Sequence, residues 1–351
     1  MDRRNFLRGA GLLVATAAGS QFLIGCSSGE SGGDAAATTG PSGEQLRNLV
    51  YMTPFQHIIS HADVYVAQAQ GFFAEEGLLI TSIGGTGTAS SVSQVAGKQA
   101  MFGKAASVIT CPLIADQDTP IVTIGQKDQI SQYSVASLPD KPLTSPEQWQ
   151  GKTIGVISKG GTTELLLDAM SVAAGLDPTK VKKVVTGADV GSLEFLNRGE
   201  VDGFITFIGS ETALKQRNIE LNYLNTDLFA PLPGDSYFVT RETAKAEGEA
   251  ITSFLRACRK AWKFMAEPAN TDKVLEAVGV LNEIEVSDKA LATAKVAGEV
   301  RVSTPPNGGD FLSMDTAVWE KGIELMRKSG MIKDTARPVT DFIDTSFIDS
   351  V

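Results

Sequence analysis

The chain has 351 residues, of which 42% are hydrophobic and 21% charged, with a formal net charge of −10. That length holds two domains of ordinary size, and the composition is that of a soluble globular body. So acidic a surface excludes non-specific binding to nucleic acid or to an anionic membrane face.

Residues 1–25 read as an export segment outside the fold. "MDRRNFLRG" is basic, and "AGLLVATAAGSQFLIG" is apolar but too short for an ordinary membrane span. Arg3–Arg4 followed by Phe6–Leu7 resembles a twin-arginine signal, with Asp2 where Ser or Thr is usual. "LIGC", Leu23–Cys26, resembles the lipobox of bacterial lipoproteins, which implies that Cys26 is lipidated and becomes the new N-terminus. The alternative is a short anchor helix with a chance cysteine. Removing the segment leaves a body of charge −12. Residues 26–43 are rich in Gly, Ser and Ala and read as a flexible tether.

Strands and helices then alternate. "NLVYMT" (48–53) predicts a strand, and "HADVYVAQAQGFFAEEG" (61–77) a helix stopped by Gly77. "LLITSIGG" (78–85) predicts a second strand, followed by a helix over about 88–96. "SVITC" (107–111) and "PIVTIGQ" (120–126) read as further β-branched strands. After the Pro-rich connector "LPDKPLTSPEQWQ" (138–150), "GKTIGV" opens a second unit. A helix follows, with Leu166, Ala169, Met170 and Ala173 on one face, and then strands in "VKKVVTG" and "VDGFITFIG". Beyond residue 240 the pattern is mostly helical to about 330. Such alternation predicts α/β lobes with mostly parallel sheets.

Two glycine turns join strand to helix, "GGTGTA" at 84–89 and "GGTTE" at 160–164. Neither is a nucleotide motif. Gly155 and Gly160 have P-loop spacing, but Gly161 replaces the lysine; Gly85 and Gly87 begin a dinucleotide fingerprint, but Ser90 stands at its third glycine. Each turn either only tightens a connection or offers N–H groups and hydroxyls to a small ligand. No G-x-S-x-G elbow or Cys/His cluster with metal-ligand spacing is present. Cys111 and Cys258 read as small buried hydrophobes, Cys258 on a stripe with Ile251, Phe254, Leu255, Trp262 and Met265.

"YVAQAQGFFAEEGL" with "GGTGTASSVSQVAGKQAMFG", then "WQGKTIGV", "LNRGEVDGFI" and "DFIDTSFI", resembles the solute-binding proteins of ABC importers. The branch is the one that takes nitrate, sulfonates, taurine and thiamine-pyrimidine precursors. The resemblance covers nearly all of residues 46–349. It implies a two-lobed type II periplasmic-binding fold with a ligand cleft between lobes crossed twice by the chain. The lobes are expected at 44–137 with 235–351, and at 138–234, with crossings near 135–142 and 231–238. It further implies a small-molecule ligand, docking onto a permease with its ATPase, a cell-envelope location outside the cytoplasm, a lipid as the sole membrane contact, a monomer and no cofactor. The other readings are a surface sensor lipoprotein and an enzyme on the same fold. One relative of this family makes the thiamine pyrimidine with a cysteine-rich motif, which this chain lacks.

In open α/β sheets ligands gather beyond the strand C-termini. That nominates Thr53, Phe55 and His57 after the first strand, with His61 and Asp63 in the next helix. Gly85, Thr86, Gly87 and Thr88 are nominated at the first glycine turn, and Thr162, Thr163 and Glu164 at the second, with Phe207 and Tyr237 as rings to stack on a flat ligand. His57 and His61, four apart, suit metal, cleft hydrogen bonding or packing; the absence of a third ligand argues against metal. Asp63 either forms a capping box with Ser60 or faces the ligand, and Glu164 either favours the helix dipole or accepts an amino group. Carboxylates and aromatics without an arginine tilt the ligand towards an amino-bearing heteroaromatic, with sulfonate, taurine or nitrate as the alternative.

Overall fold

The computed structural model describes residues 39–41, 43–187, 190–333 and 336–351, so the export segment, Cys26 and most of the tether lie outside the described residues. The first sheet has the order β2-β1-β3-β10-β4, built from β1 (Arg47–Met52), β2 (Leu78–Ile83), β3 (Phe102–Ala106), β4 (Ile121–Gln126) and β10 (Asp235–Thr240). The second has the order β7-β6-β8-β5-β9, built from β5 (Tyr133–Ser137), β6 (Thr153–Val156), β7 (Lys182–Val185), β8 (Gly203–Phe207) and β9 (Asn222–Asn225).

Each sheet is mixed. β1 runs parallel to β2 and β3, and β6 parallel to β7 and β8. β10 is antiparallel to β3 and β4, and β5 to β8 and β9. β5 and β10 are the strands that follow each passage between sheets, so they enter at the end where the parallel strands finish. The passages occupy residues 127–132 and 226–234. β5 therefore lies in the second lobe, although a boundary at 137 assigns it to the first. The connector 138–150 is a loop within the second lobe and not a crossing.

Local sequence explains most elements. Helix Thr88–Ala96 has the predicted bounds, and helix Thr162–Ala173 buries Leu166, Ala169 and Met170 as its spacing requires, while Ala173 in its last turn is exposed. The run 61–77 is not one helix. Gly71 takes φ 77°, a left-handed conformation open to glycine, and separates helix Ala62–Ala69 from the short helix Phe72–Glu75. "SVITC" is the first half of helix Ser107–Gln117, not a strand, and the strand is the preceding "FGKAA". Tertiary placement overrides β-propensity there: Ser107 donates its N–H and its hydroxyl to the Pro233 carbonyl in the second passage.

The core is continuous beneath the first sheet. Ile251, Phe254, Leu255, Cys258, Trp262 and Met265 are all buried along helix Gly248–Ala266, and Phe254 stacks on Phe102 with centroids 3.9 Å apart. Cys111 and Cys258 are buried free thiols, and burial pushes the Cys111 thiol up to about 12. In the second lobe Trp149 is fully buried and donates its indole N–H to Ser171 Oγ at 3.1 Å, fastening the connector to helix Thr162–Ala173. Trp149→Ala should cost about 3–5 kcal/mol by leaving a large cavity, measured as a lower urea midpoint in equilibrium unfolding.

Candidate functional site

The loop after β1 is held by its own residues. Thr53, fully buried, donates to the Gln56 carbonyl at 2.8 Å and accepts from Gly85 N–H at 2.9 Å. A Cβ on Gly85 would overlap the Thr53 carbonyl oxygen, so this close approach demands glycine. Phe55 and Thr86 form a β-bridge, both exposed, and Gly87 and Thr88 open helix Thr88–Ala96. The nominated first-lobe residues 53–57 and 85–88 thus meet as two interlocked loops.

The two histidines diverge. His57 Nδ1 lies 3.0 Å from the Tyr65 hydroxyl, and burial lowers its pKa. His61 is buried and donates from Nε2 to the Phe55 carbonyl at 3.1 Å, which fixes the Nε2–H tautomer. Burial, then Lys104 and Lys127, hold His61 neutral, with a pKa well below the usual range. Among the described residues no group of three His, Cys, Asp or Glu side chains is placed to hold a metal ion.

Asp63 does not form a capping box with Ser60. It is fully buried and accepts hydrogen bonds from Tyr237 Oη and from Trp262 Nε1, the latter at 3.0 Å. Tyr237 is equally buried, edge-on to Phe254 at 5.2 Å. This pair therefore lies within the packed interior, not on an open face. In the second lobe, the Thr163 hydroxyl accepts from Ile157 N–H at 3.0 Å, and Glu164 accepts from Gly160 N–H at 2.5 Å. Thr162, partly buried, reaches the Tyr133 hydroxyl. Phe207 is partly buried at the start of helix Ile208–Gln216. The first N–H groups of helix Thr162–Ala173 have no carbonyl partner within the helix, as at any helix start.

Where the two passages run side by side, the structure gathers charges that sequence spacing does not reveal. Lys127 is fully buried, paired with Asp128 at 2.6 Å and with Glu299. Burial opposes its charge, but Asp128 and Glu299 outweigh burial and raise its pKa. Lys104, fully buried on β3 opposite Tyr237, donates to the Ser60 carbonyl at 2.6 Å. Gln132 Nε2 donates to Asp128 Oδ2 at 2.7 Å and stands 3.5 Å from Asp235 Oδ2. Asp227 accepts the Ser131 N–H at 2.6 Å. A small gap between the lobes is lined by Val108, Asp128, Gln132, Tyr133, Thr162 and Leu166. A larger concavity of about 750 Å³ is lined by Leu46, Glu75, Glu76 and Arg256 among others and contains none of the nominated residues. The one sequence signal for the charged cluster was a lysine inside an apolar strand, "FGKAA", and Lys-Asp at a strand end, "IGQKDQ".

Residues 58–271, more than half of the chain, match the family model described as NMT1/THI5 like. The chain belongs to that family. A formylaminopyrimidine-binding protein of Halalkalibacterium halodurans is 25% identical over 81% of this chain and 86% of its own length. A 4-amino-5-hydroxymethyl-2-methylpyrimidine phosphate synthase of Legionella pneumophila is 26% identical over 59% of this chain and 66% of its own. Among solved structures, the periplasmic aliphatic sulphonate binding protein of Escherichia coli superimposes with a TM-score of 0.64 at 14% identity, covering 85% of this chain and 92% of that one. The last likeness shows the shared two-lobed fold.

Two carboxyls, one in the second passage and one directly after it, are displaced from their ordinary range. Asp235 is pushed up to about 6 by burial and by Asp128, and Asp227 to about 6 by burial. A carboxyl raised on folding supports stability at acid pH, and that support is lost as the pH rises through about 6. The neutral His57 and His61 act in the opposite sense. Asp235→Asn should therefore melt higher than wild type at pH 7.5, and the gap should narrow by pH 5, read by differential scanning fluorimetry across that range.

Proposed function

We propose that the protein is the extracytoplasmic solute-binding component of an ABC importer, and that its ligand is an aminopyrimidine of the thiamine-precursor type. The match along 81% of the chain to a formylaminopyrimidine-binding protein carries this reading. The surroundings of the cleft agree with it. Asp128, Asp235 and Glu164 place carboxylate acceptors near the strand ends, and no arginine is among the residues gathered there. Carboxylates suit ring amino groups and disfavour sulfonate or nitrate.

In this reading the interlocked loops 53–57 and 85–88 form the first-lobe wall. Thr162, Thr163 and Glu164 form the second-lobe wall, and Phe207 is a stacking ring. The chain binds and releases its ligand unchanged and hands it to a permease served by an ATPase. Synthesis is the competing reading, because one relative is named a synthase. The two buried free thiols lie on separate helices, Ser107–Gln117 and Gly248–Ala266, and form no reactive cluster. Cys26 would hold the body at the membrane through a lipid.

Two measurements test this. In a thermal-shift panel, 4-amino-5-hydroxymethyl-2-methylpyrimidine or its formylamino relative should raise the melting temperature, while alkanesulfonates and nitrate should not, because a ligand stabilises the state that binds it. Glu164→Gln should keep the fold and weaken that binding about tenfold, the loss of one hydrogen bond to a charged group; stabilisation by sulfonate alone would reverse the ligand assignment. Separately, Cys26→Ser should release the protein from the membrane fraction, and wild-type protein lacking lipid mass would refute anchoring.

A further inference from the structure

The charged cluster at the passages is unbalanced. Two ammonium groups, Lys104 and Lys127, face four carboxylates, Asp63, Asp128, Asp235 and Glu299. Asp63 Oδ2 takes Tyr237 and Trp262, although its Oδ1 is buried without a hydrogen-bond partner, while Asp128 and Glu299 share Lys127. Asp235 has no such close side-chain partner. Its backbone carbonyl accepts from Lys127 and Asp128, but the side-chain contact recorded among the described residues is Gln132 at 3.5 Å, the limit of a hydrogen bond. It is also half-buried where its neighbours Asp128 and Lys127 are fully enclosed.

The position of this carboxylate is informative. Asp235 opens β10 directly after the second passage, opposite Ala106 at the end of β3, where helix Ser107–Gln117 begins. Gly234 and Asp128 beside it line the gap between the lobes, together with Tyr133 and Thr162. A carboxylate with unused lone pairs at such a place can accept a further hydrogen bond.

We infer that Asp235 is the specificity-determining acceptor of the cleft, taking a hydrogen bond from an exocyclic N–H of the ligand. This rests on the aminopyrimidine reading above and adds to it the residue that reads the amino group. Tyr133, beside Asp235 and joined to Thr162 of the second lobe, would bring the second lobe to the same ligand edge. The lysines are compatible with the assignment: Lys127 is held between two carboxylates, and Lys104, which gives one N–H to the Ser60 carbonyl, favours the ionised form of Asp235. An anionic ligand would meet an unpaired carboxylate here.

Calorimetric titration of the full chain with 4-amino-5-hydroxymethyl-2-methylpyrimidine and with its 4-dimethylamino analogue, which has no N–H to give, separates the possibilities. Wild type should prefer the amino form by at least tenfold. Asp235→Asn should bind it at least tenfold more weakly, with much of that preference gone. Should Asp235→Asn fold poorly, Asp235→Ser gives the same readout. Unchanged affinity and unchanged preference in a folded variant would overturn the role of Asp235 and leave the aminopyrimidine reading standing. Failure of wild type to bind the amino form at all would overturn that reading and this assignment together.

Discussion

The clamp on Lys127 is the interaction on which the rest depends. Its ammonium is fully buried between Asp128 and Glu299, at the point where the chain leaves the first sheet for the second. Removing one partner from such a set leaves an uncompensated buried charge, a loss of about 3–5 kcal/mol. The helix that supplies Glu299, Lys289–Ser303, does more than neutralise. Its Val302 carbonyl, one of the orphan acceptors at a helix end, receives the N–H groups of Gln129 and Ile130 in the passage itself. The same helix packs on Ile208–Gln216 of the second lobe. One helix thus fixes the exit of the chain, its charge and a contact between the lobes.

Much of the architecture was legible in the sequence because the parallel units have strong local signals. β1, β2, β4 and β7 follow apolar, β-branched runs, and helices 88–96 and 162–173 follow glycine turns into periodic apolar stripes. What escaped were the strands whose identity depends on distant partners. β5 and β10 come directly after the passages and are strands because each pairs with one neighbour on either side, β8 and β9 or β3 and β4. "SVITC" failed for the converse reason. Its β-branched residues favour a strand, but Ser107 is pinned to Pro233 and the run is buried as helix.

The candidate site was legible in part. The glycine turn at 84–87 and the loop at 53–57 were nominated separately, and the structure interlocks them through Thr53 and Gly85. Spacing gave no means of telling Asp63 from a capping residue, because its partners Tyr237 and Trp262 lie far along the chain. The charged residues of the passages were hidden more deeply. A lysine in a strand or an aspartate at a strand end has no periodicity to mark it, and the pairing of Lys127 with Glu299 spans most of the body.

The strand order has a consequence for how the molecule is made. β4 joins the first sheet only through β10, so it is not connected to β3 until residues 235–240 exist to lie between them. The second sheet, by contrast, draws all its strands from residues 133–225. During synthesis the lobe encoded in the middle is therefore complete first. The lobe encoded at the start waits, with β1, β2 and β3 already made and their apolar faces uncovered, for the C-terminal helices to arrive. Long-range closure of that kind is slow and leaves partly built sheets open to wrong partners. The chain is thus most vulnerable in the interval between finishing its inner lobe and closing its outer one.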